Sequence, residues 1–266
     1  MLATPDRPAL AASSLVSLRG VRKTFANGTT ALAGLDLDIR PGEFVSLLGP
    51  SGCGKSTVLR IIAGLASATA GQVDWPGSTG EERRGDIGFV FQEPTLMPWA
   101  TALDNVWLPL RLRGVSRREA LPRLEEALAL VGLAGFKSAY PRELSGGMKM
   151  RVSIARALSL RPKLLLMDEP FAALDEITRF KLNDDLLRLK RELGCTIVFV
   201  THSVYESVYL SSRIVVMAAR PGRVVAEIEV DDPLRDESFR SSPVYADLCR
   251  QASRALHGAM APDEHL

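Results

Sequence analysis

The sequence contains few cysteines, and their spacing excludes several kinds of site. The three cysteines, Cys53, Cys195 and Cys249, are far apart and form no Cys-x-x-Cys pair. This spacing excludes a zinc site of the standard type, and the odd number argues against a framework of disulfides. We therefore expect a protein of a reducing compartment.

Long hydrophobic runs are also missing. Apolar runs such as residues 164–167 and 197–200 are only a few residues long, whereas a membrane-spanning helix needs about 20 apolar residues. Residues 1–14 lack a basic segment followed by an apolar core, so we expect no secretory signal. A net charge of +2 gives no argument for nucleic acid as a partner. We expect a soluble protein that can still dock onto a membrane partner.

What the chain does contain is a series of short apolar segments that alternate with helical segments. Its 266 residues, 46% hydrophobic and 24% charged, are enough for a core of normal size. Residues 35–39 alternate as a half-buried strand does. Further strands are predicted at residues 44–49, 87–91, 163–168, 196–202, 213–217 and 223–230. The last two flank Pro221 and Gly222 and are expected to form an antiparallel hairpin.

Helical segments dominate between about residues 93 and 160. The predicted fold class is therefore α/β, with a mostly parallel sheet, an antiparallel β subdomain and a helical insertion. We place a flexible tail at residues 1–13 and the main domain at residues 14–231, with its helical subdomain at about residues 93–160. Residues 232–266 are predicted to form a helical extension and a tail.

A glycine-rich loop stands between a predicted strand and a predicted helix. Residues 49–57 match the phosphate-loop pattern G-x-x-x-x-G-K-[ST]. Glycines let the backbone approach phosphate oxygens closely, and the helix N-terminus adds positive charge. We expect Lys55 to reach the β- and γ-phosphates and Ser56 to ligate Mg²⁺. The predicted phosphate-binding residues are Gly49, Pro50, Ser51, Gly52, Cys53, Gly54, Lys55, Ser56 and Thr57.

An acidic pair follows another buried strand. Asp168 and Glu169 stand directly after the apolar residues 164–167, and open α/β sheets bind ligands at the carboxyl ends of their strands. Taken alone, the pair would be a solvated turn. Beside a phosphate loop, we expect Asp168 to hold Mg²⁺ through water and Glu169 to polarise the attacking water. No Asn-Lys-x-Asp sequence is present, which argues against a GTPase.

Six motifs in one order resemble those of ATP-binding cassette (ABC) ATPases, the nucleotide-binding subunits of ABC transporters. They are GPSGCGKST (49–57), FVFQEP (89–94), LSGGM (144–148), LLLMDEP (164–170), AALD (172–175) and VTH (200–202). The resemblance extends from about residue 15 to residue 230. It implies a P-loop NTPase core, ATP as the bound nucleotide and Mg²⁺ as the metal.

The resemblance assigns roles to residues that also have simpler interpretations. Gln92 matches a glutamine that contacts Mg²⁺ or the attacking water, but it is otherwise a solvated loop residue. His202 matches a histidine that senses the γ-phosphate, although a histidine after a strand is usually structural. Asp175 matches an aspartate that contacts the second subunit, and it can also cap the next helix. Phe25 lies where the family places an aromatic ring under the adenine, or it belongs to the core. The implied catalytic residues are Glu169, His202 and Gln92, and the implied metal ligands are Ser56, Gln92 and Asp168.

Ser145, Gly146 and Gly147 begin a predicted helix, where a glycine costs about 1 kcal/mol relative to alanine. A helix cap explains the serine but not the two glycines. Because two cassettes of this family pair head to tail, the resemblance implies that these residues bind the γ-phosphate held by the second subunit. A side chain on either glycine would then hold that nucleotide away. Met148 replaces the family's usual glutamine, and we expect activity to survive this change.

Within the family, the sequence is most similar to the importers of nitrate, sulfonate and taurine. This resemblance implies an ATP-hydrolysing importer subunit that forms an ATP-dependent homodimer, binds transmembrane permease subunits at the cytoplasmic face of the inner membrane and serves a solute-binding protein indirectly. No nucleic acid partner is implied. The alternative is a soluble ABC ATPase of translation or DNA repair, but such proteins usually carry two cassettes, coiled-coil insertions or zinc insertions. A purely regulatory module is disfavoured by the presence of both phosphate-binding and catalytic residues.

Overall fold

A computed structural model describes residues 14–76, 87–231 and 235–260. The tail predicted at residues 1–13 lies outside the described residues, as do residues 232–234 and 261–266 of the predicted C-terminal extension. The strands are β1 (Val16–Thr24), β2 (Thr30–Ile39), β3 (Phe44–Leu48), β4 (Ala70–Asp74), β5 (Ile87–Val90), β6 (Leu164–Asp168), β7 (Thr196–Thr201), β8 (Arg213–Ala218) and β9 (Arg223–Glu229). The α-helices are α1 (Lys55–Ile62), α2 (Ala102–Leu112), α3 (Arg117–Leu130), α4 (Gly146–Leu158), α5 (Glu176–Leu193), α6 (Val204–Leu210), α7 (Glu237–Arg240) and α8 (Pro243–Ala259).

The larger sheet has the strand order β5-β6-β7-β3-β8-β9, and all of its strands except β9 are parallel. β3, β6 and β7 are buried along their whole length, which agrees with their continuous apolar sequences. The predicted hairpin of β8 and β9 is confirmed by their antiparallel pairing. Because the other strands run in one direction, the loops after β3, β5, β6 and β7 leave the sheet at the same edge.

The smaller sheet is antiparallel and has the order β2-β1-β4. In β2, Leu35, Leu37 and Ile39 are buried and Asp36 is exposed, so the predicted alternation is confirmed. The buried residues of β1 and β2 share one core with α1 and with one face of the larger sheet. The α/β fold class, with an antiparallel β unit beside a mostly parallel sheet, is therefore confirmed.

The opposite face of the larger sheet contributes to a second core, which includes buried residues of α2, α3, α4, α5, α6 and α8. Helices α2, α3 and α4 all lie between β5 and β6 in the chain. Ser116 and Ser145 cap α3 and α4 through their hydroxyl groups. The boundaries of the main domain, at residues 14–231, and of the helical subdomain, at about residues 93–160, stay predictions.

Candidate nucleotide-binding site

The phosphate loop, residues 49–57, connects β3 to α1 and needs glycine for steric reasons. Gly54 precedes α1 in the left-handed conformation, with φ 92° and ψ 8°. A Cβ atom at Gly54 would lie 2.8 Å from Leu32 Cδ2, and one at Gly49 would lie 2.6 Å from the carbonyl oxygen of Met217. The loop is therefore packed tightly between the smaller sheet and β8, which fixes its backbone.

Lys55 lies inside the curve of this loop, and its side chain is only 4% exposed. Its Nζ donates hydrogen bonds to the carbonyl oxygens of Gly49 at 2.7 Å and Pro50 at 3.0 Å. The same Nζ lies 3.7 Å from Glu169 Oε1. The ammonium group is thus held between the phosphate loop and the carboxylate that follows β6.

Ser56 and Asp168 join the phosphate loop to the end of β6. Ser56 Oγ donates a 2.7 Å hydrogen bond to Asp168 Oδ1. Burial raises the pKa of Asp168, while this hydrogen bond and the charges of Arg60 and Lys55 oppose the rise. A hydroxyl and a carboxylate oxygen side by side are the hard donors that Mg²⁺ prefers, so the donor set fits this metal.

Glu169 is directed into the site by an unusual backbone conformation. Its φ is 45°, in the left-handed region that non-glycine residues rarely occupy. Its N–H donates to the carbonyl oxygen of Val200 on β7 at 3.1 Å, which holds the turn against the neighbouring strand. Glu169 Oε2 lies 3.3 Å from His202 Nδ1. Lys55, Glu169 and His202 therefore form a continuous chain of contacts across three loops.

Gln92 and Phe25 are both exposed. Gln92 lies two residues beyond β5, whose Val90 is paired with Met167 of β6, so it leaves the sheet at the same edge as Glu169. Phe25 lies in the turn between β1 and β2 and is 46% exposed. The interpretation of Phe25 as a core residue is therefore wrong, and its ring is accessible to a flat ligand.

The remaining predicted residues lie at the beginnings of α4 and α5. The N–H of Met148 donates to Ser145 Oγ at 3.3 Å, and the N–H of Thr178 donates to Asp175 Oδ1 at 2.9 Å. The hydrogen bonds from Thr178 hold the pKa of Asp175 below its usual value. Ser145 and Asp175 are thus both helix caps, which leaves their predicted roles toward a second subunit open.

The glycines beside Ser145 differ in what their own chain requires. A Cβ atom at Gly147 would lie 2.7 Å from Thr178 Cγ2, whereas one at Gly146 would lie 3.5 Å from Leu174 Cδ2, an ordinary contact. Close packing of α4 against the start of α5 therefore accounts for Gly147. Gly147 is thus required by the packing of its own chain, whereas Gly146 is not, and the predicted role of both glycines toward a second subunit's nucleotide stays a prediction.

The structure thus brings the predicted residues together in two groups. Side-chain contacts join Lys55, Glu169 and His202, and a further contact joins Ser56 to Asp168. Residues 145–147 instead pack beside Leu174 and Thr178, around the cap of α5. One group surrounds the phosphate loop and the other lies at two adjacent helix N-termini, where backbone N–H groups favour anions.

Sequence reasoning missed Glu206, Arg179 and Thr201, which surround the base of the His202 loop. Glu206 is buried and accepts a 2.6 Å hydrogen bond from Thr201 Oγ1, and Arg179 lies beside its other oxygen. A signal for Glu206 was present, because Ser203-x-x-Glu206 is a capping-box pattern directly after His202. No signal in the sequence pointed to Arg179.

Comparison with known proteins agrees with this geometry. The family model described as "ABC transporter" matches residues 32–172, more than half of the chain. The chain belongs to the ABC transporter family. Residues 49–57, 145–147 and 164–169 of this ABC protein all lie inside the matched range, and their individual roles stay predictions. Within the described residues, no helix is long and apolar enough to cross a bilayer.

Two curated relatives and one solved structure illustrate how far the similarity of this ABC protein extends. The aliphatic sulfonates import ATP-binding protein SsuB 1 of Pseudomonas savastanoi pv. phaseolicola is 47% identical, over 92% of this chain and 98% of the relative. The taurine import ATP-binding protein TauB of Rhizobium johnstonii is 43% identical, over 85% and 89%. The dimeric post-hydrolysis structure of the ATP-binding cassette MJ0796, bound to ADP and Pi, has a TM-score of 0.70 and 39% identity, over 82% of this chain and 99% of that one.

The packing at Gly147 generates a prediction about stability. Gly147→Ala should lower the free energy of unfolding by about 1 kcal/mol, because overpacking costs about 1–3 kcal/mol and alanine regains at most about 1 kcal/mol in helix propensity. The matched control Gly146→Ala should not destabilise the protein. Urea denaturation of both variants measures the difference.

The variant Thr178→Ser removes only the methyl group that Gly147 faces and keeps the hydroxyl group. In this background, Gly147→Ala should no longer be destabilising. Equal penalties for alanine at Gly147 with and without the Thr178 methyl group would contradict the packing argument.

Proposed function

We propose that this chain is the ATP-binding and ATP-hydrolysing subunit of an ABC importer for small solutes of the sulfonate or taurine kind. The observation that carries this proposal is the continuous set of contacts from Lys55 through Glu169 to His202, which lies beside the Ser56–Asp168 pair. The import functions printed for the SsuB and TauB relatives support the importer and its class of solute.

In this function the phosphate loop binds the nucleotide. The N–H groups at the beginning of α1 would face the phosphate oxygens, and Lys55 would turn from its carbonyl partners toward the β- and γ-phosphates. Phe25, which is exposed next to the smaller sheet, would stack on the adenine ring. Ser56, Asp168 and Gln92 would hold Mg²⁺, which supplies positive charge to the phosphate oxygens when bound.

Glu169 is the residue we assign to the attacking water. Its carboxylate would accept a proton from water as the water oxygen attacks the γ-phosphorus, and the bond from that phosphorus to the bridging oxygen of ADP breaks. His202, 3.3 Å from Glu169 Oε2, would hold the carboxylate and the water in line. The left-handed backbone at Glu169 sets the direction of the carboxylate before the nucleotide arrives.

The second group of residues would act across a homodimer. Ser145, Gly146 and Gly147 stand at the N-terminus of α4, where a hydroxyl group and backbone N–H groups can bind the γ-phosphate held by another copy. Asp175 would contact that copy beside them. The dimeric structure of the MJ0796 cassette supports this arrangement. Transmembrane permease subunits would place the homodimer at the cytoplasmic face of the cell membrane, and a periplasmic or surface solute-binding protein would deliver the cargo to the opposite face of the permease.

Glu169→Gln should bind ATP as tightly as the unaltered protein while the rate of phosphate release falls about 10²–10⁴-fold, because the amide cannot accept the proton. Nucleotide binding and phosphate release are measured separately. Glu176→Gln, an exposed change at the start of α5, is the control and should keep full activity. If the Glu169 variant hydrolyses ATP at the normal rate, its role as the base is wrong.

Ser145→Arg should leave ATP binding by the monomer unchanged but prevent the ATP-dependent dimer and abolish hydrolysis, because a large side chain would occupy the position of the other copy's γ-phosphate. Size-exclusion chromatography with ATP, in the Glu169→Gln background, measures the dimer. Normal turnover of the Ser145 variant would show that hydrolysis does not need this contact.

The importer and the soluble alternative differ in their partners. Affinity purification of the chain from detergent-solubilised cells should recover a polytopic membrane protein in stoichiometric amount, because the importer subunit acts on a permease. Recovery of ribosomes or DNA, with no membrane protein, would support the soluble alternative. ATP hydrolysis itself is common to both and does not decide between them.

A further inference from the structure

The buried carboxylate of Glu206 holds the loop that carries His202 in place. Glu206 is only 7% exposed, and its Oε2 accepts a 2.6 Å hydrogen bond from Thr201 Oγ1. Thr201 Oγ1 in turn accepts the N–H of Ser203 at 3.0 Å, and Ser203 Oγ accepts the N–H of Glu206 at 3.3 Å. Both neighbours of His202 in the chain are therefore fixed through Glu206, which closes a ring of hydrogen bonds beneath the histidine.

The same carboxylate faces a second loop. Glu206 Oε1 lies 3.4 Å from Nε of Arg179, which is one turn into α5. A terminal nitrogen of Arg179 donates to the carbonyl oxygen of Leu174 at 3.1 Å, directly before Asp175. The pair Glu206–Arg179 thus connects the His202 loop to the loop that carries Asp175.

The side chains of Glu206 and Arg179 lie close together but do not form a complete hydrogen bond. Within the described part of the chain, neither Glu206 Oε1 nor Arg179 Nε has a hydrogen-bond partner, although the two atoms are buried and close together. Leaving such atoms unpaired costs about 1–3 kcal/mol each. A movement of a few tenths of an ångström between the start of α5 and α6 would complete the bond. The pair therefore favours one relative position of the two loops.

The pKa of the Glu206 carboxyl group also depends on the groups around it. Burial raises the pKa of Glu206, whereas the Thr201 hydrogen bond and the charges of Arg179 and His202 oppose the rise and Glu169 adds to it. Removal of Arg179 would take away the cation that lies 3.4 Å from this buried carboxylate, which is strongly unfavourable. The position of the Glu206 side chain, and with it the His202 loop, would then change.

We propose that Glu206 and Arg179 are positioning residues that couple His202 to the loop bearing Asp175. This inference rests on the proposed function, because it assigns His202 to hydrolysis and Asp175 to the contact with a second copy. When that contact moves the Asp175 loop, Arg179 transmits the movement to Glu206, and Glu206 sets the His202 backbone through Thr201. Hydrolysis at one phosphate loop would therefore respond to the presence of the second subunit without a further ligand.

The test compares kinetic constants in full-length variants. Arg179→Met and Glu206→Gln should each lower kcat for ATP hydrolysis about 10- to 100-fold while KM for ATP changes less than about twofold, because misplacement of His202 affects the transition state and not nucleotide binding. The double variant should be no slower than the slower single variant, since both changes break one connection. If the losses in kcat of the two single variants multiply in the double variant, the proposal is overturned. An unchanged kcat for Arg179→Met would also overturn it.

Three further variants separate positioning from general loss of structure. Thr201→Val should lower kcat like Glu206→Gln, and Thr201→Ser should restore it, because the serine hydroxyl can make the same hydrogen bonds. Asp175→Ala should lower kcat in the unaltered protein but not lower it further in Arg179→Met. Failure of serine to rescue, or a full additional loss from Asp175→Ala, would contradict the coupling even where Glu206→Gln does not fold.

The matched control is Arg188→Met, which removes another arginine of α5 that is ion-paired to Asp185 at 3.1 Å and half-exposed. It should leave both kcat and KM unchanged, because such exposed pairs contribute about 0–1 kcal/mol to stability.

The proposed function fails separately, if the unaltered protein does not hydrolyse ATP or Glu169→Gln remains active. If the unaltered protein hydrolyses ATP and the Arg179→Met variant is fully active, only the coupling is overturned.

Discussion

The parallel pairing of β6 with β5 and β7, and of β7 with β3, is the constraint on which the rest of the site depends. In this register Asp168 lies opposite Val200, and Leu48 lies opposite Thr201. The phosphate loop, the acidic pair and His202 therefore leave the sheet side by side although they are far apart in the chain. Because side chains alternate along a strand, a slip of one residue in β6 would direct Asp168 away from Ser56.

Strain and buried charge are concentrated where these loops leave the sheet. Gly54 and Glu169 both adopt left-handed backbone conformations, one at a position where no side chain fits and the other at the residue assigned to the chemistry. Lys55 and Asp168 are buried beside polar partners, as buried ionisable groups must be. The surrounding cores on both faces of the sheet provide the stability that keeps these unfavourable arrangements in place.

The sequence was sufficient where one segment determines its own structure. Apolar runs predicted the buried strands, and local patterns predicted the hairpin of β8 and β9. The motifs predicted which residues meet at the sheet edge. The contact of Gly147 with Thr178 could not be predicted, because it depends on how two helices distant in the chain pack together. The exposure of Phe25 depends likewise on the turn geometry and not on its residue type.

The contact between Gly147 and Thr178 has a consequence for how the two halves of the site relate. It fixes the N-terminus of α4 against the N-terminus of α5, and only the short segment from Glu169 to Asp175 separates α5 from β6. The groups that would face a second copy are therefore attached to the same strand end that carries Glu169. Any rearrangement of one surface must be transmitted through tightly packed atoms, since a close-packed interior deforms little. A single cassette thus already contains a tightly packed connection between Glu169 and the residues predicted to face a second copy.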